Sequence, residues 1–135
     1  MSQENVEIIR ALVDEWNSGV RDFARFPEWL DPAIEVEGPL SSVSGEPYHG
    51  HAGVEQWVRD VDDQFAEWTF SPDEIRAVGD FVIATGTLHS RGRASGAVLQ
   101  SLLTSVHKFD SDHRITRWHI YSDVHEALKA VGLEE

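Results

Sequence analysis

Apolar positions near the start of the chain recur at three- and four-residue steps: Val6, Ile9, Val13 and Trp16 fall on one stripe and predict an amphipathic helix. Ser2 stands where a capping hydroxyl belongs, and Gly19 where the helix ends. A shorter helical piece is expected from Arg21 to Leu30, with Phe23, Phe26, Trp29 and Leu30 apolar and Pro27 breaking or restarting it. Pro32 then directs the chain into a short extended run, Ala33 to Glu37. A second stripe, Val54, Trp57, Val58, Val61 and Phe65, marks a helix from about His51 to Ala66. After Glu67 the pattern changes to long segments rich in Val, Ile, Thr and aromatics. They break at Gly79-Asp80, between Arg91 and Gly96, and between Asp110 and His113, which predicts four strands in a meander. Asp123 and Glu126 form a capping box for a last short helix through Ala127, Leu128 and Val131, ended by Gly132.

Helices first and long antiparallel strands afterwards give an α+β fold: a curved antiparallel sheet packed with the N-terminal helices into a cone with an internal pocket. Pro72 and Gly86 are the expected bend or bulge points. Residues two apart on a strand share a face, so Leu103, Ser105 and His107 face the pocket together, as do Trp118 and Ile120. Ala84 and Leu88 complete a mostly apolar wall, and Trp57 is the helical tryptophan expected to show an edge to it. Arg117, His119 and Tyr121 then point to the opposite face. The stretch from Gly38 to Gly50, rich in Gly, Pro and Ser, reads as a long loop and a candidate lid, in which Tyr48 either reaches over the cavity or packs on the following helix.

Composition narrows the function classes. The 135 residues suit a single domain spanning 1–135. Lys and Arg number 11 against 24 Asp and Glu, a formal net charge of -13 that repels phosphate backbones and anionic membrane surfaces, so neither nucleic acid nor membrane is an expected partner. No stretch approaches the length of a membrane span, no basic secretory leader is present, and there is no cysteine; a cytoplasmic protein is expected.

The order of four short motifs carries a resemblance. W16-N17-S18-G19 closes the first helix, L30-D31-P32-A33-I34-E35-V36-E37 leads into the first strand, Y48-H49-G50-H51-A52-G53-V54 opens the next long helix, and the meander follows. Over essentially the whole chain this resembles the SnoaL-like branch of the nuclear transport factor 2-like superfamily. That superfamily includes ketosteroid isomerases, polyketide cyclases, limonene-type epoxide hydrolases, scytalone-type dehydratases and members that only bind or pair. The resemblance implies a small hydrophobic ligand handled without a cofactor and a homodimer, for which the face of Arg117, His119 and Tyr121 is a reasonable interface; no motif for a nucleotide, flavin, heme or required metal stands out in the sequence.

Residue by residue, the best-known activities of those relatives do not carry over. Steroid isomerisation uses a carboxylate base with a tyrosine and a protonated aspartic acid as the oxyanion hole. The matching positions here are Glu37, Leu12 and Ser105, and Leu12 has no donor. The position matching the cyclase acid is Ile120, and no Asp-Arg-Asp set of the epoxide hydrolase kind stands on the strands. Two candidates for acid–base work remain. Glu37, placed by the match at the rim of an apolar cavity, could act as a general base, and His107 could pair with it or polarise a ligand carbonyl. The bland alternative is a solvated glutamate at a strand end. His49, His51 and Glu55 are spaced like a fragment of a cupin metal signature but lack its flanking glycines; they read as loop and helix-start residues rather than metal ligands. Arg91 and Arg93 read as solvated turn residues. Two functions stay open: a cofactor-free isomerase, cyclase, dehydratase or hydrolase, and a non-catalytic ligand-binding or dimerisation domain.

Overall fold

A computed structural model describes residues 2–17, 28–38 and 47–132. Its elements in chain order are α1 (Ser2–Asn17), β1 (Leu30–Glu37), β2 (Tyr48–His49), α2 (Gly50–Gln64), β3 (Phe65–Val78), β4 (Phe81–Gly92), β5 (Val98–Phe109), β6 (Ile115–Tyr121) and α3 (Val124–Ala130). The strands form one open sheet in the order β2-β1-β6-β5-β4-β3. Strands β3 to β6 are the expected meander, and β1 joins it in parallel beside β6, so the sheet is mixed rather than wholly antiparallel. The helical piece expected at residues 21–30 falls mostly outside the described residues; Leu30 itself opens β1. The candidate lid likewise lies outside them over residues 39–46.

Alternation decides which face of β1 turns inward. Ile34 and Val36 are fully buried, which leaves Glu35 and Glu37 on the other face. Each such side chain gains roughly 1.5–3 kcal/mol by burial, and a one-residue slip would exchange both for carboxylates. The stripes of α1 and α2 pack on the sheet, α1 mainly against β3 and β4 and α2 against β1, β2 and β3, and Ile9, Leu12, Trp16, Val54, Trp57 and Val58 are buried there.

Both ends of α1 are fastened to the sheet. At its end the Asn17 amide imitates a strand, donating to the Phe70 carbonyl at 2.8 Å and accepting from the Phe70 amide at 2.9 Å on edge strand β3. At its start, the His113 ring in the β5–β6 turn lies 2.9 Å from Asn5 Oδ1 and 2.8 Å from Glu4 Oε2. His113 holds a left-handed φ of 61°, which aims the ring back at the helix. The helix is thus held across the sheet without its middle having to collapse onto it.

The long strands bend where Pro72 meets Gly86. Register shifts between Pro72 and Glu74, with Gly86 opposite Pro72. A Cβ on Gly86 would collide with the Ser71 carbonyl oxygen and come within 2.6 Å of Pro72 Cα, so only glycine admits this approach. Arg93 is the exposed turn residue expected, and it also has fixed partners. Its guanidinium donates to the Asp62 carbonyl at 2.7 and 3.0 Å and to the Phe65 carbonyl at 3.2 Å, placing a cation on the C-terminal carbonyls of α2. Arg91 in turn lies 3.3 Å from Glu67. At the other end of the chain Asp123 caps α3 by accepting from the His125 amide at 2.8 Å, and Gly132 follows the helix with φ 79°. None of the described helices is long and apolar enough to cross a membrane.

Candidate functional site

Between α1, α2 and the concave face of the sheet lies a cavity of about 380 Å³. Its sheet wall is built by the residues that strand alternation singles out. Leu103, Ser105 and His107 come from β5, Trp118 and Ile120 from β6, and Ala84 and Leu88 from β4. The ladders place Ala84 and Ile120 on either side of Ser105, and Val82 and Trp118 on either side of His107. Trp57 reaches the cavity from α2.

The helices and β3 contribute more than the sequence suggests. Leu12 and Trp16 line the cavity from α1, and Trp68 and Phe70 from β3. Four tryptophans meet there. Trp16 lies 5.2 Å from Trp57, 4.9 Å from Trp68 and 5.6 Å from Trp118 between ring centroids, mostly edge to face, the arrangement favoured by aromatic quadrupoles. Trp16 has the helical spacing of a core residue, and it is one; the same ring also bounds the cavity. For Trp68 and Phe70 the available signal is their two-residue spacing on a strand opposite Ser90 and Leu88.

The polar atoms of this cavity concentrate in one chain of hydrogen bonds. His107 Nδ1 lies 3.1 Å from the Val82 carbonyl oxygen, His107 Nε2 lies 3.0 Å from Ser105 Oγ, and Trp118 Nε1 donates to Ser105 Oγ at 2.8 Å. Complete burial pushes the imidazole down to about 4, only partly offset by its bond to the Val82 carbonyl, so the ring is neutral at physiological pH. The hydroxyls of Ser101 and Ser122 lie at the exposed mouth. Among the described residues His107 is the single titratable side chain lining the cavity.

Two expected site residues stand elsewhere. Glu37 is not at the cavity rim: Val36 takes the inward position, and the Glu37 side chain is 56% exposed on the opposite face. It therefore cannot pair with His107. It lies 3.8 Å from His119 Nε2, which is bound to Glu35 at 2.7 Å. Tyr121 shares that face, its phenol pushed up first by burial and then by the charge of Glu37. Tyr48 does not reach over the cavity. It sits on β2 and donates its hydroxyl to Asp60 of α2 at 2.6 Å; burial, followed by this carboxylate, pushes it up to about 12.

Glu35, Glu37 and His119 are the described residues with metal-ligand chemistry in one place, their donor atoms within 4.8 Å of one another. His119 and Glu35 are joined by a hydrogen bond, and Glu37 lies beside the pair. Of the cupin-like trio, His51 contacts the Leu30 carbonyl through Nε2 at 2.9 Å, Glu55 lies 3.7 Å from Arg59, and His49 is exposed opposite Glu35. The trio forms no shared site.

Solved structures of the same architecture are numerous. One is a nuclear transport factor 2-like protein of unknown function from Burkholderia pseudomallei, 22% identical with a TM-score of 0.76, covering 95% of this chain and 97% of that one. A second is TerC, co-crystallised with polyporic acid: 20% identical, TM-score 0.75, covering 94% and 97%. A third is a protein from Jannaschia sp. assigned as a SnoaL-like polyketide cyclase, 14% identical with a TM-score of 0.78, covering 99% and 95%. At these identities the likeness is one of fold. No curated protein matches the sequence. The sequence model of the SnoaL-like domain, however, matches residues 9–118, a span that runs from the middle of α1 through α2 and β1–β5 into β6. The chain belongs to the SnoaL-like domain family.

Proposed function

We propose that this SnoaL-like protein binds a small hydrophobic molecule in the cavity, and that the tryptophan floor favours a flat, aromatic one. The observation that carries this reading is a cavity of about 380 Å³ whose walls are apolar except for one hydrogen-bonded chain and two hydroxyls at the mouth. Small-molecule sites have this composition: apolar area supplies affinity and a few fixed polar groups supply orientation. A protein of the same fold crystallised with polyporic acid supports the same view. Among the described residues no carboxylate reaches the cavity, so an isomerase, cyclase, dehydratase or hydrolase role would rest there on His107. An imidazole held near 4 is a weak base at neutral pH, which favours binding over acid–base turnover. The test is a titration with N-phenyl-1-naphthylamine, whose emission rises in apolar surroundings. Saturable enhancement is expected, weakened at least tenfold by Leu103→Trp, which fills the cavity; enhancement that never saturates, or that ignores this substitution, rules the reading out.

Pairing into a homodimer fits the exposed apolar side chains of β5. Val98 is 69% and Leu102 70% exposed, and their strand alternation puts them on the face that continues to Thr104 and, across the ladder, Tyr121, with Leu102 also bordering the cavity. Sedimentation at micromolar concentration should give twice the chain mass, and Val98→Lys half of that. A monomer throughout would overturn the pairing.

A further inference from the structure

The hydrogen-bonded chain in the cavity has a direction, and the direction follows from what each atom can do. The Val82 carbonyl oxygen only accepts, so His107 Nδ1, 3.1 Å away, carries the ring proton and donates it. In the neutral ring Nε2 is then a bare lone pair, and it accepts the proton of Ser105 Oγ at 3.0 Å. The Trp118 indole can only donate, and it donates to the same Ser105 oxygen at 2.8 Å. All three protons are thereby committed: Trp118 to Ser105, Ser105 to His107, His107 to Val82. A serine oxygen has two lone pairs, and Trp118 takes one of them. The second is what the wall of the cavity has left to offer at this point.

We infer that Ser105 Oγ is a hydrogen-bond acceptor for the ligand, so the cavity selects aromatic molecules carrying a hydroxyl over equally shaped molecules lacking a donor. The inference rests on the proposal that the cavity binds small hydrophobic molecules and adds the chemical class. A ligand carbonyl or fluorine facing Ser105 meets an acceptor with an acceptor. To make a donor for it, the Ser105 proton would have to leave His107 Nε2, orphaning a buried nitrogen, which costs more than a bond to water returns. The hydroxyls of Ser101 and Ser122 carry no such constraint. Both are exposed at the mouth, where water satisfies either kind of ligand group. Discrimination therefore belongs to Ser105 and to the two side chains that set its proton.

The test compares 2-naphthol with 2-fluoronaphthalene, which are nearly the same shape but differ in having a donor, by calorimetric titration of the whole chain. Wild type should bind the naphthol about tenfold more tightly, the scale of one well-placed hydrogen bond in an apolar site. Ser105→Ala combined with His107→Leu, which also removes the imidazole nitrogen that would otherwise be left to accept, should bring the two probes to within about twofold of each other. Ser105→Thr, which keeps a hydroxyl on the same strand face, should retain the preference and so separates loss of the acceptor from damage to the wall. Equal affinities in wild type, or a preference that survives the double substitution, overturn the assignment of Ser105 while leaving the binding role of the cavity intact. Failure of both probes to bind overturns the binding role itself, and this inference with it.

Discussion

Burial holds the His107 imidazole neutral down to about pH 4, whereas in the unfolded chain it takes up a proton near its ordinary 6.5. Between those values the unfolded state binds a proton that the folded state refuses. Stability from this residue is therefore complete above about pH 6.5 and is lost as pH falls towards 4, by about 3 kcal/mol in all. Urea unfolding at pH 7 and pH 4.5 should show wild type losing about 2 kcal/mol more than His107→Gln; equal losses would mean the ring is not held neutral. The placement of this residue is legible in the sequence, because Ser105 and His107 stand two apart on a strand and must share a face. Glu37 was misplaced for the converse reason. The alternation Ile34-Glu35-Val36-Glu37 already turns both carboxylates outward, and a positional match to a catalytic carboxylate in relatives runs against it. Nothing local to Tyr48 points to Asp60, twelve residues on, so its hydrogen bond could not be read from spacing alone.

Among the elements, the β3–β4 pair decides whether a cavity exists at all. Its bend at Pro72 and Gly86 curls the sheet around α1, and a side chain at Gly86 would force the β3 backbone away. Gly86→Ala should lower unfolding stability by roughly 1–3 kcal/mol in urea, as overpacking against backbone does, with β4 otherwise free to take the residue. An unchanged midpoint would show that the strands do not approach as described. The bend was expected, since a proline and a glycine inside long strands have few other uses. The helix end was less legible: Phe65 completes the apolar stripe of α2 yet already begins β3, because a helical and a strand period both fit a single apolar residue at a junction. Nor does sequence reveal that β1 lies parallel to β6. That pairing joins segments some eighty residues apart, and it is the buried faces of Ile34, Val36 and Trp118 that bring them together.

For the molecule as a whole, core and cavity are made of the same side chains. Four of the five tryptophans both close the hydrophobic core and line the empty space, whereas Trp29 lies outside the lining. That division gives the central claim a direct reading: indole N–H resonances of the 15N-labelled protein, followed by NMR as 2-naphthol is added. The account predicts that the signals of Trp16, Trp57, Trp68 and Trp118 move together to saturation, Trp118 most because its N–H bonds to Ser105, while Trp29 stays still. A spectrum in which none of the four moves, or in which Trp29 moves as they do, would contradict a ligand held in this cavity.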